Sequence, residues 1–222
     1  MPKVKLPRKS THVDMTAMCD VAFLLLTFFM LTTKFKPQDP VTVVTPSSIS
    51  TKLLPETNIV MIEISKDGKV FFDLDNKPKR LQLIENLNTS YKLGLTPDEI
   101  NEYAIGGSVG MPFNQLKNYL SLPVDQQKSV DQPGIPIDTA VNVGTNQLDQ
   151  WVKYFMNVDQ GENRATSWCI KADDNTKYPI VREVMNTLEE NGQLKLHLVT
   201  SLEKIPTGTV AWKEQQASIG KK

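Results

Sequence analysis

MTAMCDVAFLLLTFFMLTT, residues 15–33, is the one stretch of this chain that is both long and apolar enough to cross a membrane. A helix with ~1.5 Å rise per residue covers roughly 28 Å over this stretch, close to the ~30 Å hydrocarbon core of a bilayer. A cleaved signal peptide has a shorter, uncharged apolar region followed by small residues, whereas Lys34 follows here. A buried helix of a soluble domain fits this length and its internal charge poorly. The sequence therefore predicts a membrane-spanning helix over residues 14–34.

One acidic side chain, Asp20, lies inside this apolar stretch. An aspartate at mid-span opposes insertion by about 2.5–3.5 kcal/mol, whereas each Leu, Phe or Val favours insertion by about 0.3–0.6 kcal/mol. Hydrocarbon tolerates the protonated acid better than the carboxylate, so an ionised Asp20 needs water or a facing helix. We therefore expect Asp20 to be functional, and proton uptake is the chemistry that its position suggests. The alternative is a passive anchor in which Asp20 is incidental.

Two threonines share the helix face of this aspartate. At 100° per residue, Thr16, Asp20 and Thr27 form one polar stripe, with offsets of four and seven residues. A polar stripe on an otherwise apolar membrane helix indicates contact with another protein helix. The alternative is that a threonine hydroxyl simply bonds to the backbone of its own helix.

Basic residues are more numerous before the span than after it. The four that precede it are Lys3, Lys5, Arg8 and Lys9, and the two that follow it are Lys34 and Lys36. Because basic flanks tend to stay in the cytoplasm, we expect residues 1–13 to form a cytoplasmic basic arm. The long remainder then lies in the periplasm of a bacterium with two membranes. The predicted location is the inner (cytoplasmic) membrane, crossed once.

Composition and spacing disfavour several other classes of protein. The formal net charge is zero, and no basic surface beyond the short arm suggests nucleic acid. Cys19 and Cys169 fall in different compartments and do not pair, and we expect Cys169 to be a small buried residue of a strand. His12 and His197 fall on opposite sides of the membrane. We expect no metal, no other cofactor and no enzymatic activity, since no ligand spacing or nucleophile–base arrangement stands out.

Proline and serine are frequent in the segment after the span, residues 35–57. This composition predicts a flexible periplasmic linker. Within it, residues 41–44, VTVV, are strand-prone and can add to a sheet edge when a partner is present. The alternative is that they form part of an extended tether.

A β-hairpin and a helix are predicted after the linker. In residues 58–73, β-prone runs flank Asp67-Gly68, a dipeptide that favours a tight hairpin turn. Residues 79–91 carry apolar side chains at helical spacing. The segment after this helix, residues 92–145, has less regular patterns and is interpreted as an insertion.

The end of the chain predicts a strand, a helix and a second strand. Residues 166–172 and 194–200 have strand patterns, and residues 178–191 form an amphipathic helix that ends at Gly192. A unit of this length joins two parallel strands. We predict a small α+β domain over residues 58–205, with a mixed sheet and helices on one face.

Within the insertion, Thr96 and Pro97 predict a helix start, and short helices are predicted near residues 112–120 and 146–155. Residues 124–136 are expected to be a loop. Gly106-Gly107-Ser108-Val109-Gly110 resembles a phosphate loop only superficially, because the following Lys-Ser/Thr is missing. Residues 206–222 are predicted to form a mobile tail.

The membrane segment closely resembles the transmembrane signature of the ExbD/TolR family of biopolymer transport proteins. The resemblance covers residues 14–30, DMTAMCDVAFLLLTFFM. Asp20 stands at the position of the proton-carrying aspartate of that family, and Thr16 at its threonine. Ala17 replaces the usual proline, which concerns only how the chain enters the helix.

The resemblance continues beyond the membrane. The linker residues similar to the family's short linker motif are Val41, Val43, Pro46 and Ser48, with Thr45 in place of a usual leucine. The strand–helix–strand unit from Ile170 to Thr200 resembles the closing unit of the family. The insertion is not covered.

This resemblance implies a function. Such proteins form a homodimer inside a pentameric ring of an ExbB- or TolQ-like polytopic membrane protein. Protons pass through the aspartate, and the energy reaches TonB or TolA in the periplasm. We expect an ExbD-like subunit that couples the proton motive force to TonB-dependent transport across the outer membrane. The alternatives are a TolR-like subunit, a flagellar-type stator subunit or a passive single-span scaffold.

Overall fold

In a computed structural model, the described residues are 15–32, 40–50, 54–55, 57–127, 129–137, 146–159 and 166–203. They belong to two compact units, Met1–Lys36 and Pro37–Lys222. The predicted basic arm with His12, the basic residues Lys34 and Lys36, and the predicted tail from residue 206 lie outside the described residues.

Helix α1, Met15–Thr32, confirms the predicted membrane-length helix. Its mean hydropathy is 1.9, and none of its residues is buried against other parts of the protein. A helix of a soluble domain buries its apolar side chains, whereas Leu24, Phe28 and Phe29 are all more than half exposed. The helix is therefore suited to lipid or to partner helices in a membrane.

The second unit is built on a four-stranded mixed sheet. The strands of the unit are β1 Ser47–Ser48, β2 Ile59–Ile64, β3 Val70–Leu74, β4 Ser167–Ala172, β5 Leu196–Leu198 and β6 Ser201–Leu202. In the sheet the order is β3-β2-β4-β5, with β2 antiparallel to β3, and with β4 parallel to both β2 and β5. The predicted hairpin is confirmed, with Gly68 at φ +80° in its turn, and so is the predicted parallel pair.

Helices connect and cover these strands. In the described residues they are α2 Lys77–Tyr91, α3 Pro97–Ile105, α4 Phe113–Leu120, α5 Val124–Gln127, α6 Gln147–Asp159 and α7 Tyr178–Glu190. The helices predicted over residues 79–91, 146–155 and 178–191 correspond to α2, α6 and α7. The loop predicted from residue 124 is wrong at its start, because the Pro123 carbonyl accepts bonds from two following N–H groups and begins α5.

The helices pack on one face of the sheet. Ile62, at the centre of β2, is fully buried on this face. It belongs to one apolar core with Leu83 of α2, Trp151 of α6 and Val184 of α7. Burial of each such side chain contributes about 1.5–3 kcal/mol. On the opposite face Met61 is partly exposed, and Phe71 is buried beside Gly110 of the inserted segment. The predicted α+β fold is confirmed, with the core helices on the face of Ile62.

The inserted segment, residues 92–145, is joined to the sheet and supplies part of the core. Val109 exchanges two backbone hydrogen bonds with Phe72 of β3, at 2.9 and 3.0 Å. Leu116 and Leu120 of α4 are buried in the common core. The described part of the inserted segment therefore covers the outer edge of β3 and folds together with the domain.

A buried guanidinium, that of Arg80 in α2, holds the inserted segment against β3. It donates to the Asp73 carboxylate at 2.6 Å and to the Leu74 carbonyl at 3.2 Å. It also donates to the carbonyls of Tyr103, at 3.1 and 2.7 Å, and Gly107, at 2.8 Å. A buried cation is tolerated only when its hydrogen bonds are satisfied, so this clamp joins α2 to residues 73–74 and to residues 103–107.

Replacing Arg80 with methionine is expected to lower the free energy of unfolding by about 3–5 kcal/mol, because buried oxygen atoms lose their donor. The measurement is urea unfolding of the full chain in detergent micelles, followed by the fluorescence of the tryptophans, which include the buried Trp151. The control Lys117→Met removes an exposed ammonium from the Gly94 carbonyl and is expected to cost less than about 0.5 kcal/mol. Equal losses in the two variants would contradict the clamp.

Candidate functional site

The first candidate site is the polar stripe on α1, formed by Thr16, Asp20 and Thr27. The helix places all three side chains on one side, as their spacing predicts, and Asp20 is exposed. Among the described residues, none donates a hydrogen bond to the Asp20 carboxylate or forms an ion pair with it. On a helix of membrane length, this carboxylate needs protonation, water or a facing polar group.

Thr27 differs from Asp20 because its hydroxyl is already satisfied within α1. It donates to the Leu24 carbonyl at 2.9 Å. Thr32 makes the same kind of bond to the Phe28 carbonyl at 2.8 Å. Such bonds to the backbone are common for threonine in membrane helices. The contribution of Thr27 to a proton route therefore stays a prediction.

The second candidate site lies in the linker, part of which docks on the domain that follows it. The Val44 N–H donates to the Asp173 carboxylate at 2.9 Å. The Val44 carbonyl accepts a bond from the Asp174 N–H at 2.8 Å. Both backbone groups of one linker residue are thereby held by the turn after β4.

A short parallel pairing extends this contact. β1 pairs with β6, and the carbonyls of Pro46 and Ser48 each accept a backbone bond at 2.9 Å, from Ser201 and Glu203 respectively. We call residues 41–48, together with residues 173–174 and 201–203, the linker dock.

The linker dock contains the linker residues singled out by the sequence: Val41, Val43, Pro46 and Ser48. All four are half-buried, whereas Val44 is 62% exposed. In the structure Val44 bonds to the turn at Asp173 and Asp174, and regular pairing begins at Ser47. The expectation that residues 41–44 add to a sheet edge when a partner is present stays a prediction. The flexibility of the linker, residues 35–57, stays a prediction, and within it the carbonyls of Val44, Pro46 and Ser48 are bonded to the domain.

Asp173 is the acidic residue of the linker dock whose side chain bonds the linker backbone. The N–H groups of Asn175 and then of Val44 donate to its carboxylate and hold its pKa below the ordinary value of 3.8. A carboxylate whose pKa is lowered by folding stabilises the fold above its unfolded pKa and loses this effect as the pH falls through the folded value. The linker dock is therefore expected to persist at neutral pH and to loosen only in acid below pH 3.8.

The variant Asp173→Ala is expected to speed hydrogen exchange at the Val44 amide by about tenfold, because this amide loses its charged acceptor. The matched control is Asp174→Ala, which leaves the backbone bond from residue 174 to Val44 in place. Exchange is measured by NMR or mass spectrometry on the full chain in micelles. An unchanged Val44 rate in Asp173→Ala would show that the carboxylate does not hold the linker.

The glycine-rich stretch Gly106–Gly110 serves packing. The Gly110 N–H donates to the Gln132 side chain at 2.6 Å. A Cβ on Gly110 would lie 2.4 Å from the ring of Phe71, so the close approach to β3 requires glycine. The N–H groups of Gly106, Val109 and Gly110 are bonded within the domain.

One buried ionic group escapes the sequence patterns. Glu63 of β2 accepts from Lys171 of β4 at 2.8 Å and from the Ser108 hydroxyl at 3.2 Å. Its only signal in the sequence is a charge inside an apolar strand, which does not identify the partner.

Cys169 is buried in β4 as predicted, and burial raises the pKa of its thiol. No group of three or more metal-ligating side chains occurs among the residues that the structure describes.

Comparison with known proteins agrees with the membrane signature. The family model described as biopolymer transport protein ExbD/TolR matches residues 7–203. This match includes α1 with Asp20, the linker dock and the whole described domain. No curated protein and no solved structure matches the chain. Because the family model covers most of the chain, this protein belongs to the ExbD/TolR family of biopolymer transport proteins.

Proposed function

We propose that this protein is the proton-carrying subunit of an inner-membrane complex that couples the proton motive force to TonB-dependent transport across the outer membrane. The observation that supports this most directly is the exposed carboxylate of Asp20 on a membrane-length helix of an ExbD/TolR protein. The family as a whole supports a role in biopolymer transport. The assignment to the ExbD branch, with TolR-like duty as the alternative, is our proposal.

The proposed mechanism alternates the charge of Asp20. When protonated, Asp20 faces an apolar wall, and when ionised it faces water or a polar residue of a surrounding ring. One elementary charge that crosses about 100 mV releases roughly 2.3 kcal/mol, several times the thermal energy. Two such steps are enough to bias a packed interface between two arrangements. Proton flux is thereby converted into rotation or displacement of α1.

The partners follow from this mechanism and from the family. We propose a homodimer inside a pentameric ExbB- or TolQ-like ring, with the domain in the periplasm and the N-terminus in the cytoplasm. The linker residues Val41, Val43, Pro46 and Ser48 are proposed to bind a TonB- or TolA-like partner. In the linker dock the backbone of this segment is already bonded within the chain, so a partner has to displace these bonds or bind on top of them. Protons are the translocated species, and the mechanism needs no cofactor.

The decisive variant is Asp20→Asn, which is nearly isosteric but cannot release a proton. The assay uses cells that lack their own copy of the gene and in which the wild-type chain restores uptake of a fluorescent ferric siderophore. We expect Asp20→Asn to abolish this uptake. Membrane insertion and partner co-purification are expected to persist, because the neutral amide is accepted in the span. Uptake at the wild-type level would refute the proton-carrying role.

The polar stripe allows a second, graded test. Thr27→Val keeps the size of the side chain and removes the hydroxyl, whereas Phe29→Leu changes an apolar residue off the stripe. If the stripe borders the proton route, Thr27→Val lowers uptake more than Phe29→Leu. The uptake assay above measures both variants, and equal effects would remove Thr27 from the route.

A further inference from the structure

The point where the linker joins the sheet is held by a buried ammonium. Asn58 immediately precedes β2, and its side-chain carbonyl accepts a bond from Lys79 of α2 at 2.8 Å. The same ammonium donates to the Asp159 carboxylate at the end of α6, at 2.7 Å. The side chain of Lys79 is only 4% exposed. Three separate chain segments therefore meet at one buried charge.

The backbone at this point is fixed as well. The N–H groups of Asn58 and Ile59 both donate to the Asp75 carboxylate, at 3.0 and 3.1 Å. The Asn58 carbonyl accepts from the Ser167 N–H at 3.0 Å, which ties it to the start of β4. Asn58 adopts a left-handed conformation with φ +63°, which asparagine tolerates better than most residues. We call Asn58 with Asp75, Lys79 and Asp159 the linker junction.

Stability alone does not require a charge at this place. A packed apolar side chain often stabilises a protein as well as a buried ion pair does, or better. The Lys79 ammonium donates to oxygen atoms of two other chain segments at once, which an apolar side chain cannot do. The linker junction is thus built to fix geometry at the residue where the chain from the membrane enters the sheet.

The linker dock lies earlier along the chain and is weaker. Its contact between two side chains, from the Ser47 hydroxyl to Glu203 at 2.9 Å, is exposed, and β1 contains only two residues. The Asp173 carboxylate bonds a single N–H of the linker, that of Val44. Short, exposed pairings open before buried ones. Once the linker dock opens, Asn58 is the next point, among the residues that the structure describes, with buried ionic contacts through which tension on the linker reaches the sheet.

We propose that Lys79 and Asn58 are positioning residues that pass displacement of the linker to the periplasmic sheet as a rigid movement. This inference rests on the proposed function and adds to it the place where movement enters the domain. Loosening the linker junction lets the first residues of β2 yield, so that the movement of α1 is lost as local distortion.

The test uses paired substitutions in the full chain, expressed with its membrane partner. Lys79→Met combined with Asp159→Asn removes the ion pair but keeps the space filled, and Thr166 can still donate to residue 159. The control is Lys69→Met combined with Asp131→Asn, which removes a more exposed ion pair between the residue before β3 and the inserted segment. A further variant, Asn58→Gly, suits the positive φ and removes only the side-chain contact.

We expect the Lys79 pair and Asn58→Gly to lower siderophore uptake by roughly threefold to tenfold, the range in which residues remote from a site change coupling. Hydrogen exchange at residues 58 and 59 should rise, while the melting temperature and partner co-purification stay close to wild type. The control pair should retain full uptake.

Two outcomes would overturn the proposal. One is full uptake in the Lys79 pair and in Asn58→Gly although exchange at residues 58 and 59 has risen. The other is loss of uptake that only follows loss of folding, with the control pair equally affected. Asp20→Asn is measured in the same assay. If Asp20→Asn retains uptake, the proposed function itself fails. If Asp20→Asn loses uptake while the Lys79 pair keeps normal uptake, only the role of the linker junction is rejected.

Discussion

The constraint on which the molecule depends is the cost of placing the Asp20 carboxylate in hydrocarbon. The apolar side chains of α1 favour insertion by amounts that a single charged aspartate nearly cancels. An uncovered α1 with an ionised Asp20 is therefore a poor anchor, and the group has to be neutral, hydrated or faced by protein. Under the proposed function, protonation of Asp20 is the step at which energy enters the protein, and the domain receives the resulting movement.

The described domain has features suited to receiving such a movement. Its sheet is covered by helices on one face, and the inserted segment closes the edge of β3 through Val109 and the Arg80 clamp. The linker dock holds residues 44–48 by backbone bonds, and the linker junction fixes Asn58 by buried ionic contacts. The contacts of the linker dock are thus more exposed than those of the linker junction, which lies nearer the sheet. We therefore expect the linker dock to open without disturbing the core.

Local patterns in the sequence were sufficient to predict much of this architecture. The apolar run of α1, the Asp67-Gly68 hairpin and the periodicity of α7 each depend on neighbouring residues, so the sequence reveals them. The linker dock depends on a bond between Val44 and Asp173, which are 129 positions apart, and no local pattern encodes it. The Lys171–Glu63 bond spans 108 positions and follows from strand register in the same way. Asp20 was identifiable because a charge inside a membrane span is unusual by itself, whereas Lys79 and Arg80 resemble ordinary surface residues of a helix until the fold buries them.

The most direct test of the account is infrared difference spectroscopy of the Asp20 carboxyl group. The complex of this protein with its membrane partner is placed in vesicles, a proton gradient is imposed, and Asp20→Asn provides the reference that assigns the band. If Asp20 carries protons, the band of its protonated acid grows and shrinks as the gradient is applied and released. A band that stays constant under the gradient, in a complex that still supports uptake, would contradict proton carriage by Asp20.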